Sequence, residues 1–119
     1  MCGRYASSSR PEDLIEEFGV DEDRTEQESR SLLVSPQSPP AGEADFNMAP
    51  TKAAPVVVSR VSGDEADEVP TRQLRLLTWG LVPSWAQDVK VGLRMINARS
   101  ESLLGKSSFT RAFRMFRDR

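Results

Sequence analysis

A chain of 119 residues with 38% hydrophobic and 29% charged side chains suffices for one domain at most, or for part of a larger one. It has no histidine and one cysteine, which excludes within this sequence a histidine-based triad, a histidine-containing zinc site and an internal disulfide. The net charge of −2 hides an asymmetry: residues 1–70 carry 15 acidic and 6 basic side chains, whereas residues 71–119 carry 3 and 10. A basic half on an acidic chain fits either an ordinary solvated surface or a phosphate-binding face.

The single cysteine, Cys2, directly follows Met1. Cysteine is small enough for the initiator methionine to be removed, which would leave a mature N-terminal 1,2-aminothiol. An α-amine ordinarily titrates at about 7.7–8.0 and a thiol at about 8.5, so both nucleophiles are partly available near neutrality. With an aldehyde, the amine forms an imine and the thiol closes a five-membered thiazolidine intramolecularly. A lone early cysteine also reads as a small buried hydrophobe. Beside it, Gly3 permits close backbone approach to a ligand and Arg4 suits an anion such as phosphate.

In chain order, residues 2–8 read as a short strand ending in a turn. Pro11 opens a helix with Leu14, Ile15 and Phe18 on one face and Gly19 as its stop. Residues 21–45 are acidic, then rich in Ser, Pro and Gly, and read as a long flexible loop. Residues 46–51 form an apolar, hinge-like segment around Asn47. Residues 55–60 and 72–79 read as two strands, paired antiparallel because the polar loop between them is too short for a parallel crossover. Trp79 and Trp85 follow within seven residues of each other, Trp79 at a strand end facing the core and Trp85 in a loop. Phe109, Ala112, Phe113 and Phe116 mark an amphipathic helix that starts near Ser107 or Ser108, with Arg111, Arg114 and Arg117 on its other sides. No apolar run approaches membrane-spanning length and no secretory signal precedes Cys2, so a cytoplasmic protein is expected, without a membrane partner.

Four short stretches then stand in order: Met1-Cys2-Gly3-Arg4-Tyr5, Phe46-Asn47-Met48-Ala49-Pro50-Thr51, Trp79-Gly80-Leu81-Val82-Pro83-Ser84-Trp85 and Ile96-Asn97-Ala98-Arg99-Ser100-Glu101. Together they resemble the SOS response-associated peptidase (SRAP) family, whose proteins shield abasic sites in single-stranded DNA. The resemblance implies an α+β fold, with a curved, barrel-like antiparallel sheet flanked by helices and a positive groove for single-stranded DNA. It implies that Cys2, after autocatalytic removal of Met1, cross-links the ring-opened aldehyde of an abasic deoxyribose as a thiazolidine. Asn47 and Asn97 match the motif asparagines that line the pocket around the cysteine, and Arg4 and Arg99 would hold the flanking phosphates. Trp85 is the candidate wedge that fills the gap of the missing base. Neither a cofactor nor a metal is implied, the partner is single-stranded DNA containing abasic sites, and a monomer is favoured.

In that family a Gly-x-x-Glu-Trp segment and a later catalytic histidine should follow, and Glu101 occupies a different position from that glutamate. The sequence stops at Arg119 before either. The expectation is therefore that residues 1–119 are the N-terminal part of one such domain, with an incomplete sheet. Two other readings stay open. The chain can be an inert single-stranded DNA-binding fragment. It can also be a class II glutamine amidotransferase-like enzyme, which shares the Met-Cys-Gly start but whose downstream motifs are not found.

Overall fold

The computed structural model describes residues 2–27, 37–61 and 69–117 of the chain, with side chains through Arg114. The fold class is α+β, as the family resemblance implied. Five strands, β1 (Tyr5–Ser7), β2 (Glu22–Asp23), β3 (Asp45–Met48), β4 (Ala53–Arg60) and β5 (Thr71–Thr78), are joined by helices α1 (Pro11–Phe18) and α2 (Ser107–Arg117). Two 3₁₀ turns, Val89–Arg94 and Ser100–Ser102, precede α2. The strands make two sheets, β1–β3 and β2–β5–β4, and no closed barrel forms among the described residues.

The β4–β5 pair is antiparallel, as expected, from Ala53 opposite Thr78 to Arg60 opposite Thr71. Its β-branched run Val56-Val57-Val58 and the leucines of β5 supply strand propensity. Pro55 is tolerated because β4 is an edge strand of this sheet. At the start of β4 the Gln37 side chain acts as a surrogate backbone. Its Oε1 accepts the Ala53 N–H at 2.8 Å and its Nε2 donates to the Ala53 carbonyl at 3.4 Å. Residues 62–68, which hold most of the polar loop between these strands, lie outside the described residues.

The sheet is not wholly antiparallel. Glu22 and Asp23 run parallel to β5, opposite Gln73 and Leu74. The stretch 21–45, read from composition as one long loop, therefore begins with a strand and ends by entering another at Asp45. Residues 28–36, the middle of that stretch, lie outside the described residues. Composition missed β2 because its two residues are acidic and strand-poor. Backbone bonds from the Asp21 N–H to the Arg72 carbonyl at 2.8 Å and from the Arg24 N–H to the Leu74 carbonyl at 2.9 Å hold them to β5, and the buried Gln73 adds a bond from Nε2 to Glu22 Oε2 at 3.3 Å.

Helix α1 starts and stops where its sequence directs. Pro11 gives up no intrahelical bond at the first turn, Glu12 and Asp13 complement the helix dipole, and Asp13 Oδ2 accepts the Arg10 N–H at 3.2 Å. Gly19, in the left-handed region at φ 56°, ends it. Arg72 of β5 then fastens that end. Its NH1 donates to the Phe18 carbonyl at 2.6 Å, and its backbone exchanges bonds with Asp21 at 2.7 and 2.8 Å.

Among the described residues, Met48, Ala54 and Leu74 are buried apolar side chains of the strands, and Pro83 is buried in the loop after β5. Burying Leu74 and Met48 stabilises by about 1.5–3 kcal/mol each. Large apolar side chains left open include Phe46 at 75% and Trp85 at 60% exposure. Helix α2 begins at Ser107, with Phe109 and Ala112 half-buried and Phe113 exposed. The side chain of Phe116 lies outside the described residues.

Candidate functional site

The segment 46–51, read as a hinge, instead enters a strand, and its pairing shapes the site. In the antiparallel β1–β3 ladder Tyr5 stands opposite Met48 and Ser7 opposite Asp45. Between these pairs β1 has one residue, Ala6, and β3 has two, Phe46 and Asn47. This bulge breaks the in–out alternation. Asp45 and Met48 are both buried, whereas Phe46 and Asn47 both face outward with Ala6. On that outward face Arg4 donates from NH1 to Asn47 Oδ1 at 2.8 Å.

An ion pair between buried Asp45 and half-buried Lys52 fixes the bulge. Asp45 Oδ1 accepts the Asn47 N–H at 2.8 Å, and Asp45 Oδ2 receives Lys52 Nζ at 2.6 Å. Lys52 also donates to the Ser38 carbonyl at 3.0 Å. The Lys52 hydrogen bond, then the Asn47 N–H, hold the Asp45 carboxyl below the usual carboxylate range, against the opposing effect of burial. Above it, burial and then the Asp45 charge push the Tyr5 phenol up.

Cys2 is exposed, and its position is set by a residue far along the chain. Asn97 Nδ2 donates to the Cys2 carbonyl oxygen at 2.9 Å. The link between positions 2 and 97 runs through Trp79. Its ring meets Tyr5 edge-on, with centroids 5.7 Å apart and planes at 68°. Its Nε1–H donates to the Ile96 carbonyl at 2.6 Å, one residue before Asn97. Next to it, the Leu81 N–H donates to the Met95 carbonyl at 3.1 Å. This close approach requires glycine at position 80 and leaves little room at position 92. Gly80 has φ 132°, and a Cβ there would lie 2.4 Å from the Gly92 carbonyl oxygen. Gly92 is buried, and its own Cβ would lie 3.1 Å from Val82 Cγ2.

The structure thus brings Cys2, Arg4, Asn47 and Asn97 into two hydrogen-bonded pairs, Arg4–Asn47 and Asn97–Cys2. Among the described residues, neither Trp85 nor Arg99 is hydrogen-bonded to these pairs. Trp85 occupies the corner of a turn in which the Ala86 N–H donates to the Pro83 carbonyl at 3.0 Å. Arg111 of α2 steadies this turn through Ser84 Oγ at 3.1 Å. Arg99 is exposed and precedes the 3₁₀ turn Ser100–Ser102, its carbonyl accepting the Ser102 N–H at 3.1 Å. Sequence reasoning passed over Asp45, Lys52 and Tyr5, and it placed Trp79 in the core without its link to Ile96. Trp79 carried a signal, since a sheltered indole N–H requires an acceptor. The Asp45–Lys52 pair carried none.

Chemically, the arrangement offers an exposed thiol and an amide that holds its backbone. Two residues along the chain, Arg4 keeps guanidinium donors to spare after its bond to Asn47. Among the described residues no cluster of three or more His, Cys, Asp or Glu side chains is placed to hold a metal, and no helix is long and apolar enough to cross a membrane.

Comparison with known proteins adds a family. The chain is similar to the abasic site processing protein YoqW of Bacillus subtilis (strain 168), with 35% identity covering 92% of this chain and 39% of the relative. It is similar to YobE, an abasic site processing protein of the same organism, with 33% identity over 92% of this chain and 40% of the relative. The abasic site processing protein HMCES of Mus musculus is 29% identical over 92% of this chain and 31% of its own length. The chain therefore spans about two fifths or less of these curated relatives. No solved structure gives a significant match. The sequence model described as SOS response associated peptidase (SRAP) matches residues 1–118, and the chain belongs to that family.

Proposed function

We propose that this chain takes part in abasic-site processing by capturing the aldehyde of an abasic deoxyribose in single-stranded DNA through Cys2, after removal of Met1. The observation that carries the reading is the bond from Asn97 Nδ2 to the Cys2 carbonyl, which ties the nucleophilic residue to a motif 95 positions away. The relatives' names, all abasic site processing proteins, support the same substrate. In the reaction the Cys2 α-amine adds to the aldehyde carbon and water leaves, giving the imine. The thiol sulfur then adds to that carbon and its proton passes to nitrogen, closing the thiazolidine. One water is released and no oxidant is needed.

Each residue has a distinct task. Asn97 orients the Cys2 backbone so that amine and thiol face one aldehyde. Asn47 holds Arg4, whose remaining N–H groups bind a phosphate beside the lesion. Arg99, exposed and with no side-chain partner among the described residues, takes the phosphate on the other flank. Trp85 stacks where the base is missing. The two sheets are read as parts of the curved, barrel-like sheet of a larger domain, acting as a cytoplasmic monomer that meets DNA when it is damaged.

The test is incubation of the purified chain with a single-stranded oligonucleotide bearing one abasic site, followed by a denaturing gel beside a Cys2→Ala control. A heat-resistant shifted band absent from the control is expected. A folded chain that binds the oligonucleotide but yields no band would overturn the covalent chemistry and leave a DNA-binding module.

A further inference from the structure

The most exposed aromatic ring among the described residues is on the strand that carries Asn47, and the reading above gives it no task. Phe46 is 75% exposed, against 60% for Trp85 and 45% for Tyr5. Regular alternation would send Phe46 to the same side as Met48, which is 1% exposed. The bulge prevents this by setting Phe46 and Asn47 together opposite Ala6. An open ring is thereby placed beside an asparagine that holds a guanidinium at 2.8 Å.

A phenylalanine ring left in water on a strand forgoes the gain of burying its apolar surface, whereas an aromatic face next to a cation is a common single-strand binding surface. Such surfaces pair a positive group that tracks the phosphates with rings on which bases stack. Resting on the proposed abasic-site reading, we infer that Phe46 is a stacking platform for an intact base flanking the lesion, held in register by the phosphate on Arg4. This assigns β3 two readings of the DNA on one face, with Asn47 and Arg4 at the backbone and Phe46 at the neighbouring base. Stacking strengthens with the area of the base, so the platform makes the site sensitive to a flanking purine over a pyrimidine. That preference needs no hydrogen bond to a base edge. Phe46 does not touch the reacting atoms, and its contribution is to affinity and register.

The experiment uses the full chain and a fluorescent single-stranded oligonucleotide containing a tetrahydrofuran abasic analogue. The analogue has no aldehyde, so binding is reversible and independent of Cys2 chemistry. Two oligonucleotides differ only in having adenine or thymine on both flanks. Phe46→Ala should weaken binding to the adenine-flanked strand by roughly 5- to 150-fold. It should also abolish any preference for adenine over thymine, while Phe46→Trp restores both. Thermal unfolding of each variant, followed by circular dichroism, separates binding from folding. Affinity unchanged within twofold in Phe46→Ala overturns the inference while leaving the cross-linking gel free to succeed. Equal loss on both strands that tracks a fall in melting temperature overturns it in favour of a packing role. A dimer present in the wild type and lost in Phe46→Ala overturns it in favour of a second copy covering the ring. If the wild type binds neither strand, the inference falls, whereas a missing cross-link with Phe46-dependent binding intact rejects only the covalent reading.

Discussion

Asn97 donates its side-chain N–H to the backbone carbonyl of Cys2 at 2.9 Å, so the asparagine holds the main chain of the cysteine rather than its thiol. The contact depends on the amide's donor and not on its acceptor. Asn97→Ala removes the donor, and Asn97→Asp replaces it with a charge that repels the carbonyl oxygen. Because a neutral hydrogen bond contributes about 0.5–1.5 kcal/mol, Asn97→Ala should slow cross-linking by about 2- to 13-fold. Asn97→Asp should be slower still. Initial rates on abasic single strands check the order, and an aspartate variant as fast as wild type would show that the carbonyl contact is irrelevant.

Gly80 tests the crossing that delivers Asn97. Its φ of 132° and the 2.4 Å approach of a Cβ to the Gly92 carbonyl oxygen leave no room for alanine. Gly80→Ala should destabilise by about 1–3 kcal/mol from backbone strain, with the clash adding to that. Thermal unfolding by circular dichroism should show a lower midpoint, and the Leu81–Met95 pairing should open with loss of cross-linking. Gly105→Ala is the control, since its Cβ would meet nothing closer than 3.7 Å.

The Asp45–Lys52 pair makes stability depend on acid. The folded carboxyl titrates below its ordinary value of 3.8, so its contribution is complete above the unfolded value and is lost as pH falls through the folded one. Wild type should therefore lose stability progressively below about pH 4, and Asp45→Asn should remove that component of the acid response. Lys52→Met should be worse than Asp45→Asn at neutral pH, because it leaves a sheltered carboxylate without its cation. Denaturant midpoints measured between pH 3 and pH 7 give both comparisons.

Local rules found most of the elements. Pro11 and Gly19 bracket α1, the valine-rich run and the leucines of β5 pair antiparallel, and the phenylalanine spacing finds the start of α2. What stayed hidden was set by partners distant in sequence. Glu22 and Asp23 become a strand by pairing with Gln73 and Leu74 of β5, 51 positions away. Asp45 and Lys52 reveal nothing in sequence because a buried ion pair has the same composition as two surface charges. The bulge could not be read at all, since it depends on register against β1, and alternation alone would have buried Phe46. The four motif residues came from a resemblance, and the two hydrogen bonds among them came from the fold.

The topology also orders the events of folding. The β4–β5 hairpin joins residues near in sequence, so it closes at little entropic cost and forms a natural nucleus. The Asn97–Cys2 bond spans 95 positions, the longest separation among the side-chain hydrogen bonds of the described residues, and closes the costliest loop. The β1–β3 pairing closes a shorter loop, so Tyr5–Ser7 are held before the Asn97 contact fixes Cys2 itself. Until Asn97 meets Cys2, the exposed cysteine is held only through β1 and its partner β3, so its final placement waits on the last of the four motifs.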